Sequence, residues 1–187
     1  MYRKFFRFIY VSCILVFIPL LANAELSTKD AWDNLKKLLE TGGYQVIGQE
    51  SSVGSDLSIK NVQISFEVDA QTNINFDIGS LNLTKNKDGF ININLPEEFY
   101  VQYLNEDEFG YKTEANILVR ARELDFKVSG KISQVLYQLT ASSAGFALVE
   151  LLDNGVASPD FSAEMEFVLA DVNSTIRVAG VSSIEAT

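Results

Sequence analysis

Enzymatic chemistry needs side chains that titrate, ligate or attack, and this chain is poor in most of them. It holds 25 Asp+Glu residues but no His, which removes Ser–His and Cys–His nucleophile activation and the commonest zinc and iron ligand. Metal binding would fall to oxygen donors. The acidic cluster Asn105-Glu106-Asp107-Glu108 lacks the alternating spacing of a calcium loop and reads as a solvated turn. Two carboxylates at the right separation could hydrolyse a glycoside, but with 25 acidic residues some pair always exists, so the spacing singles out none. No phosphate loop, dinucleotide glycine pattern or G-x-S-x-G elbow is present. The expectation is therefore no catalytic residue, no metal ligand and no cofactor. Phe99, Tyr100, Tyr103, Phe109 and Tyr111 cluster in sequence, either as a binding surface or as the core and edge packing that strand aromatics usually provide.

Charge and hydropathy narrow the class further. A net charge of −10 lacks the basic stripe that phosphate neutralisation requires, so no nucleic-acid partner is expected. At 47% hydrophobic residues in 187, the chain is too apolar for a disordered acidic tail and suits one globular domain.

The first 24 residues read as an address. Arg3, Lys4 and Arg7 precede an apolar run from Phe8 to Leu21, and Ala22-Asn23-Ala24 is a small-x-small cleavage pattern just after Pro19. The run is shorter than the ~20 residues of a spanning helix, so a signal peptide over 1–24, cleaved after Ala24, is favoured over an uncleaved anchor. Cys13, the sole cysteine, reads as a small hydrophobe of this run rather than a lipidation site. The expected location is periplasmic or secreted, with membrane contact only through the leader before its removal. Residues 25–187 would form a single β-rich domain without disulfides. With Arg3, Lys4 and Arg7 gone, that domain carries 12 basic and 25 acidic residues.

The elements follow from periodicity. Ser27 and Asp30 form an S-x-x-D capping pattern ahead of Ala31, Trp32, Leu35, Leu38 and Leu39 at helical spacing, and Gly42-Gly43 stops the run. From Tyr44 the period becomes two. Val62, Ile64, Phe66 and Val68 alternate with polar residues, as do Ile74, Phe76 and Ile78, and then Ile91, Ile93 and Leu95. Further strands are predicted at 99–104, 111–120, 123–129, 132–140, 146–152 and 161–171, with Lys87-Asp88-Gly89, Asp153-Asn154-Gly155 and Ser158-Pro159-Asp160 as turns. The fold class is mainly β: an antiparallel, strongly curved sheet or a sandwich, with one N-terminal helix.

The alternation slips by one residue at three places. Leu57 and Ile59 are out of phase with Val62 and Ile64 across Lys60-Asn61; Phe76 and Ile78 are out of phase with Leu81 and Leu83 across Gly79-Ser80. A third slip falls at Ala170-Asp171. Either each strand bends there, so that its apolar face stays on one side, or separate strands meet in tight turns.

Several short motifs resemble a known family. Ala31-Trp32-Asp33 in a helix that ends before Gly43-Tyr44, then Leu57-Ser58-Ile59-Lys60-Asn61-Val62, Asp88-Gly89-Phe90-Ile91-Asn92-Ile93-Asn94-Leu95-Pro96 and Leu169-Ala170-Asp171-Val172-Asn173-Ser174-Thr175 are similar to the exported bacterial proteins of domain of unknown function 2125 (DUF2125). That resemblance implies export but no catalytic residues. Members of that family are often longer, so the chain is consistent with the N-terminal part of a longer protein. The bent-strand pattern is also similar, at the level of fold alone, to envelope proteins that build a β groove for lipids.

Two functional classes follow. The first is a non-catalytic exported protein that binds an apolar ligand, such as a lipid, or another envelope protein on the concave side of its sheet. Its candidate groove residues are Ile64, Phe66, Ile78, Leu83 and Ile93. The second is an assembly module that pairs through its sheet edges. A carboxylate-dependent hydrolase stands behind both, with no motif to locate its site.

Overall fold

The structure is a computed structural model that describes residues 25–158 and 165–179. The expected leader and Cys13 lie outside the described residues, as do Pro159-Asp160, the first part of the strand predicted at 161–171, and the last residues of the chain. The helix forms where the capping pattern predicts it, as α1 over Thr28–Thr41. Ser27 Oγ accepts from Asp30 N at 3.0 Å, and the Asp30 carboxylate accepts from Ser27 N at 3.1 Å, so two otherwise unpaired donors are satisfied at the helix start.

Ten strands follow: β1 Tyr44–Val53, β2 Asp56–Glu67, β3 Thr72–Lys85, β4 Ile91–Asn94, β5 Glu98–Glu106, β6 Lys112–Arg122, β7 Asp125–Lys131, β8 Gln134–Asp153, β9 Val156–Ala157 and β10 Met165–Ala179. They make one antiparallel sheet rather than two packed sheets. β3 pairs with β2 along one edge; along the other it pairs first with β5 and then with β4. β8 does the same with β6 and β7 on one edge and β10 on the other. β4 with β5, and β6 with β7, thus act as two interrupted long strands inside a continuous sheet that has β1 at one edge and β10 at the opposite one.

All three slips are bends. β2, β3 and β10 run unbroken through Asn61, Gly79 and Asp171, whose φ angles are 52°, 75° and 53°. One residue in the left-handed region adds a bulge, which keeps the apolar side chains on the same face when the phase changes. Asn, Gly and Asp are the residues that enter this region at least cost.

The pairing register lines these bends up. The β1–β2 register shifts between Ile47 and Gln49, and the β2–β3 register around Val62 and Gly79. The gap between β4 and β5 comes next, then Glu123 at φ 51° between β6 and β7. On β8 the line passes through 141–143, which face Arg122 on one side and 170–172 of β10 on the other. A single crease therefore crosses the sheet and divides it into two halves.

Predicted boundaries are corrected in three places: β5 continues through Asn105 and Glu106, residues expected in the turn; β10 continues past Asp171 to Ala179; and β8 joins two predicted runs. The runs at 132–140 and 146–152 are not separate strands but the two ends of the 20-residue β8. Ala141-Ser142-Ser143-Ala144-Gly145 has weak strand character by itself. It stays extended because 143–145 pair with β6 along one edge and 141 with 143–145 pair with β10 along the other, and β propensity yields readily to such context.

Candidate functional site

The two halves differ in what covers their apolar face. On one side of the crease, Leu57 and Ile59 of β2, Leu81 and Leu83 of β3, Ile91 and Ile93 of β4, Val128 of β7, and Val135 and Tyr137 of β8 are buried together with Ala31 and Trp32 of α1. The helix is tied down at several points. Thr28 Oγ1 donates to Ser55 O at 2.7 Å in the β1–β2 turn, and Trp32 Nε1 donates to Glu50 Oε1 at 2.9 Å. Lys29 Nζ lies 2.9 Å from Glu50 Oε2, and Lys36 Nζ lies 3.4 Å from Glu50 Oε1. The Lys29 hydrogen bond, helped by that of Trp32, holds the Glu50 carboxyl below its ordinary value against the opposing effect of burial.

On the other side no helix among the described residues lies over the same face. Ile74 of β3, Val101 and Tyr103 of β5, Ala115 and Ile117 of β6, and Phe146 and Leu148 of β8 line an open cleft of about 390 Å³. Register explains the convergence: Ile74 pairs Tyr103, Tyr103 pairs Ala115, Val101 pairs Ile117, and Ile117 pairs Leu148. Directly opposed residues share a face, so four strands contribute to one apolar wall. Beside it Tyr44, Phe66 and Phe76 form an aromatic cluster, with ring centroids 4.8 Å apart for Tyr44–Phe66 and 6.4 Å for Tyr44–Phe76.

The five predicted groove residues share this face but not this cleft. Ile78, Leu83 and Ile93 are buried in the helix-covered core, while Ile64 and Phe66 are half-buried. Of the clustered aromatics only Tyr103 lines the cleft. Phe99 packs against the core, Tyr100 is exposed, and Phe109 and Tyr111 sit at the β5–β6 loop. Alternation identified the face; it carried no signal for which half the helix would cover.

The reverse face of the sheet is more polar, with Asn75, Asp77, Gln102, Asn116 and Glu150 beside the exposed Tyr100 and Val149. A hollow of about 960 Å³ on this face follows the crease and is lined by Glu97, Glu98, Arg120, Arg122, Glu123 and Ser142, among others. Arg120 Nε lies 3.1 Å from Glu98 Oε1, and Ser142 Oγ donates to Arg122 O at 3.2 Å, so its charges partly engage one another on a solvated surface. Among the described residues no three His, Cys, Asp or Glu side chains converge as a metal site requires. No helix among them is long and apolar enough to cross a membrane. Comparison with family models, curated proteins and solved structures finds no match for this chain.

Proposed function

We propose that this is an exported, non-catalytic β protein that holds an apolar ligand of the acyl-chain kind on the open half of its sheet. The observation that carries the reading is the cleft of Ile74, Val101, Tyr103, Ala115, Ile117, Phe146 and Leu148: its lining is almost wholly apolar, yet it opens to solvent. Contiguous apolar surface of this kind commonly marks a binding site. Export to the periplasm or beyond rests on the basic, apolar and small-x-small segments of residues 1–24.

The test is native mass spectrometry of the chain purified from a bacterial periplasm under conditions that retain bound lipid. A co-purifying fatty acid or lipid at defined stoichiometry, lost in Ile117→Asn, supports the reading. A ligand-free mass, together with no uptake of added fatty acid, overturns it.

A second reading, assembly through sheet edges, is favoured by one specific feature. The 15-residue β10 has no strand on its outer edge among the described residues and contains neither Pro nor Lys to blunt it. Sedimentation equilibrium distinguishes it: a monomer at high concentration counts against edge pairing.

A further inference from the structure

At the end of the open half, the β2–β3, β5–β6 and β8–β9 hairpin tips stand side by side, because β3 pairs with β5 and β6 pairs with β8 up to their ends. Hydrogen bonds join them into one unit. Glu106 N donates to Gln71 O at 2.9 Å, and Asn105 Nδ2 donates to Thr72 Oγ1 at 3.0 Å. Across the other junction, Asn154 N donates to Lys112 O at 2.8 Å and Lys112 N donates to Asn154 Oδ1 at 2.9 Å. Within the middle tip, Asp107 Oδ1 accepts from both Phe109 N and Tyr111 N at 2.9 Å. In the first tip, Asp69 Oδ1 accepts from Gln71 N at 2.9 Å. With strands spaced about 4.8 Å apart, this rim extends over roughly 25 Å.

The rim presents apolar side chains to water. Phe109 is 86% exposed and Val156 68%, and Val68 and Tyr111 are about half exposed. A single exposed apolar residue is unremarkable. Four of them lie on three adjoining, mutually bonded tips whose backbone is already ordered, so their insertion into an apolar medium would cost little further conformational entropy.

We infer that this rim seats on a lipid surface, with Phe109 as its deepest side chain and Tyr111, which has an apolar body and a polar end, at the headgroup level. This goes beyond the expectation that the chain meets a membrane only through its leader. Charge selects the kind of surface. The three tips carry Asp69, Glu106, Asp107, Glu108 and Asp153, and Lys112 is their one cation, 3.3 Å from Glu106. An anionic surface repels such a rim, so the lipid is zwitterionic or uncharged. The cleft lies directly behind: Tyr103 and Ala115 on its wall are two residues from Asn105 and Thr113, which pair at the base of the middle tip. The rim stands on its own geometry; a role in loading the cleft from the lipid surface rests on the reading proposed above.

The test places a reporter at the tip. An F109W variant, against the background of Trp32, which is buried, is mixed with phosphatidylcholine vesicles. A blue shift of its emission and quenching by brominated acyl chains are expected. F109D should lower vesicle affinity at least tenfold with its melting temperature unchanged, and added phosphatidylglycerol should weaken binding several-fold at low salt. F109W emission that vesicles do not move overturns the proposal, as does tighter binding to phosphatidylglycerol. Emission that shifts with protein concentration but not with vesicles would instead assign the rim to contacts between copies of the chain. A rim that inserts while the cleft takes no ligand would leave the rim standing and remove the ligand reading alone.

Discussion

On one side of the crease Leu83 pairs with Leu57 and Ile93, and none of the three keeps more than 3% of its surface in contact with water. On the other side Ile117 pairs with Val101 and Leu148 in the same sheet and on the same face, yet Ile117 and Leu148 are only partly buried, although Val101 is buried. The strands β3 and β8 run through both environments. What differs is α1, whose Ala31, Trp32, Leu35 and Leu38 join the first group and not the second. The covered half is thus a folding core. The open half keeps the same apolar character with no helix over it among the described residues.

The comparison can be broken by truncation. Trp32→Ala should cost about 3–5 kcal/mol and Leu83→Ala about 2–5 kcal/mol, because both leave cavities in a closed core. Ile117→Ala should cost under about 1.5 kcal/mol, since its site is already open to solvent. Urea unfolding checks the contrast, and equal losses at Leu83 and Ile117 would mean that the open half is packed as tightly as the covered one.

The crease gives the next largest effect. Gly79 has no atom within 4 Å of the position a Cβ would take, but its φ of 75° strains any L side chain, and a β-branched one most. Gly79→Val should therefore cost roughly 1–2 kcal/mol through backbone conformation alone. Asn61→Gly should be neutral or slightly stabilising in the same assay, because Asn61 already occupies that region.

Tyr137 sharpens the account of the core. Its hydroxyl is buried and has no hydrogen-bond partner among the described residues, and burial pushes its pKa up to about 12. Removing an unsatisfied buried hydroxyl relieves its desolvation cost, so Tyr137→Phe should raise stability by about 1 kcal/mol. A loss of stability in thermal melts would mean that the hydroxyl is satisfied in solution.

The smallest effect concerns the lock on α1. Glu50 has a folded pKa held below the ordinary 4.5, first by the hydrogen bond from Lys29. The unfolded chain therefore binds the proton more readily, and the stabilisation is present above about pH 4.5 and is lost as pH falls through the folded value. Solvent reaches this group, so the contribution stays under about 1 kcal/mol. Glu50→Gln should flatten part of the acid limb of a melting-temperature profile, and an unchanged limb would show that the lock does not couple to folding.

Much of this was legible because it is local. The capping box needs only Ser27 and Asp30, three residues apart, and each strand's alternation needs only its own side chains. The bends at Asn61, Gly79 and Asp171 could be placed from a phase slip beside a residue that tolerates positive φ. Whether those slips were bends or turns was not legible, since both satisfy the local pattern. The candidate site was legible only as a face: Leu83 and Ile93, expected in the groove, are chemically like Ile117 and Val101, which line it.

Sequence by itself determined the secondary-structure types, the sidedness of the sheet and the poverty of catalytic groups, because these depend on residue type and on neighbours a few positions away. Tertiary structure decided three further things. It aligned the bends into one crease, joined 134–153 into one strand, and placed α1 over one half of the apolar face but not the other. Each depends on pairing or packing between segments tens of residues apart. That information is held in the register between strands and in the docking of Trp32 beside Glu50, not in any single stretch of the chain.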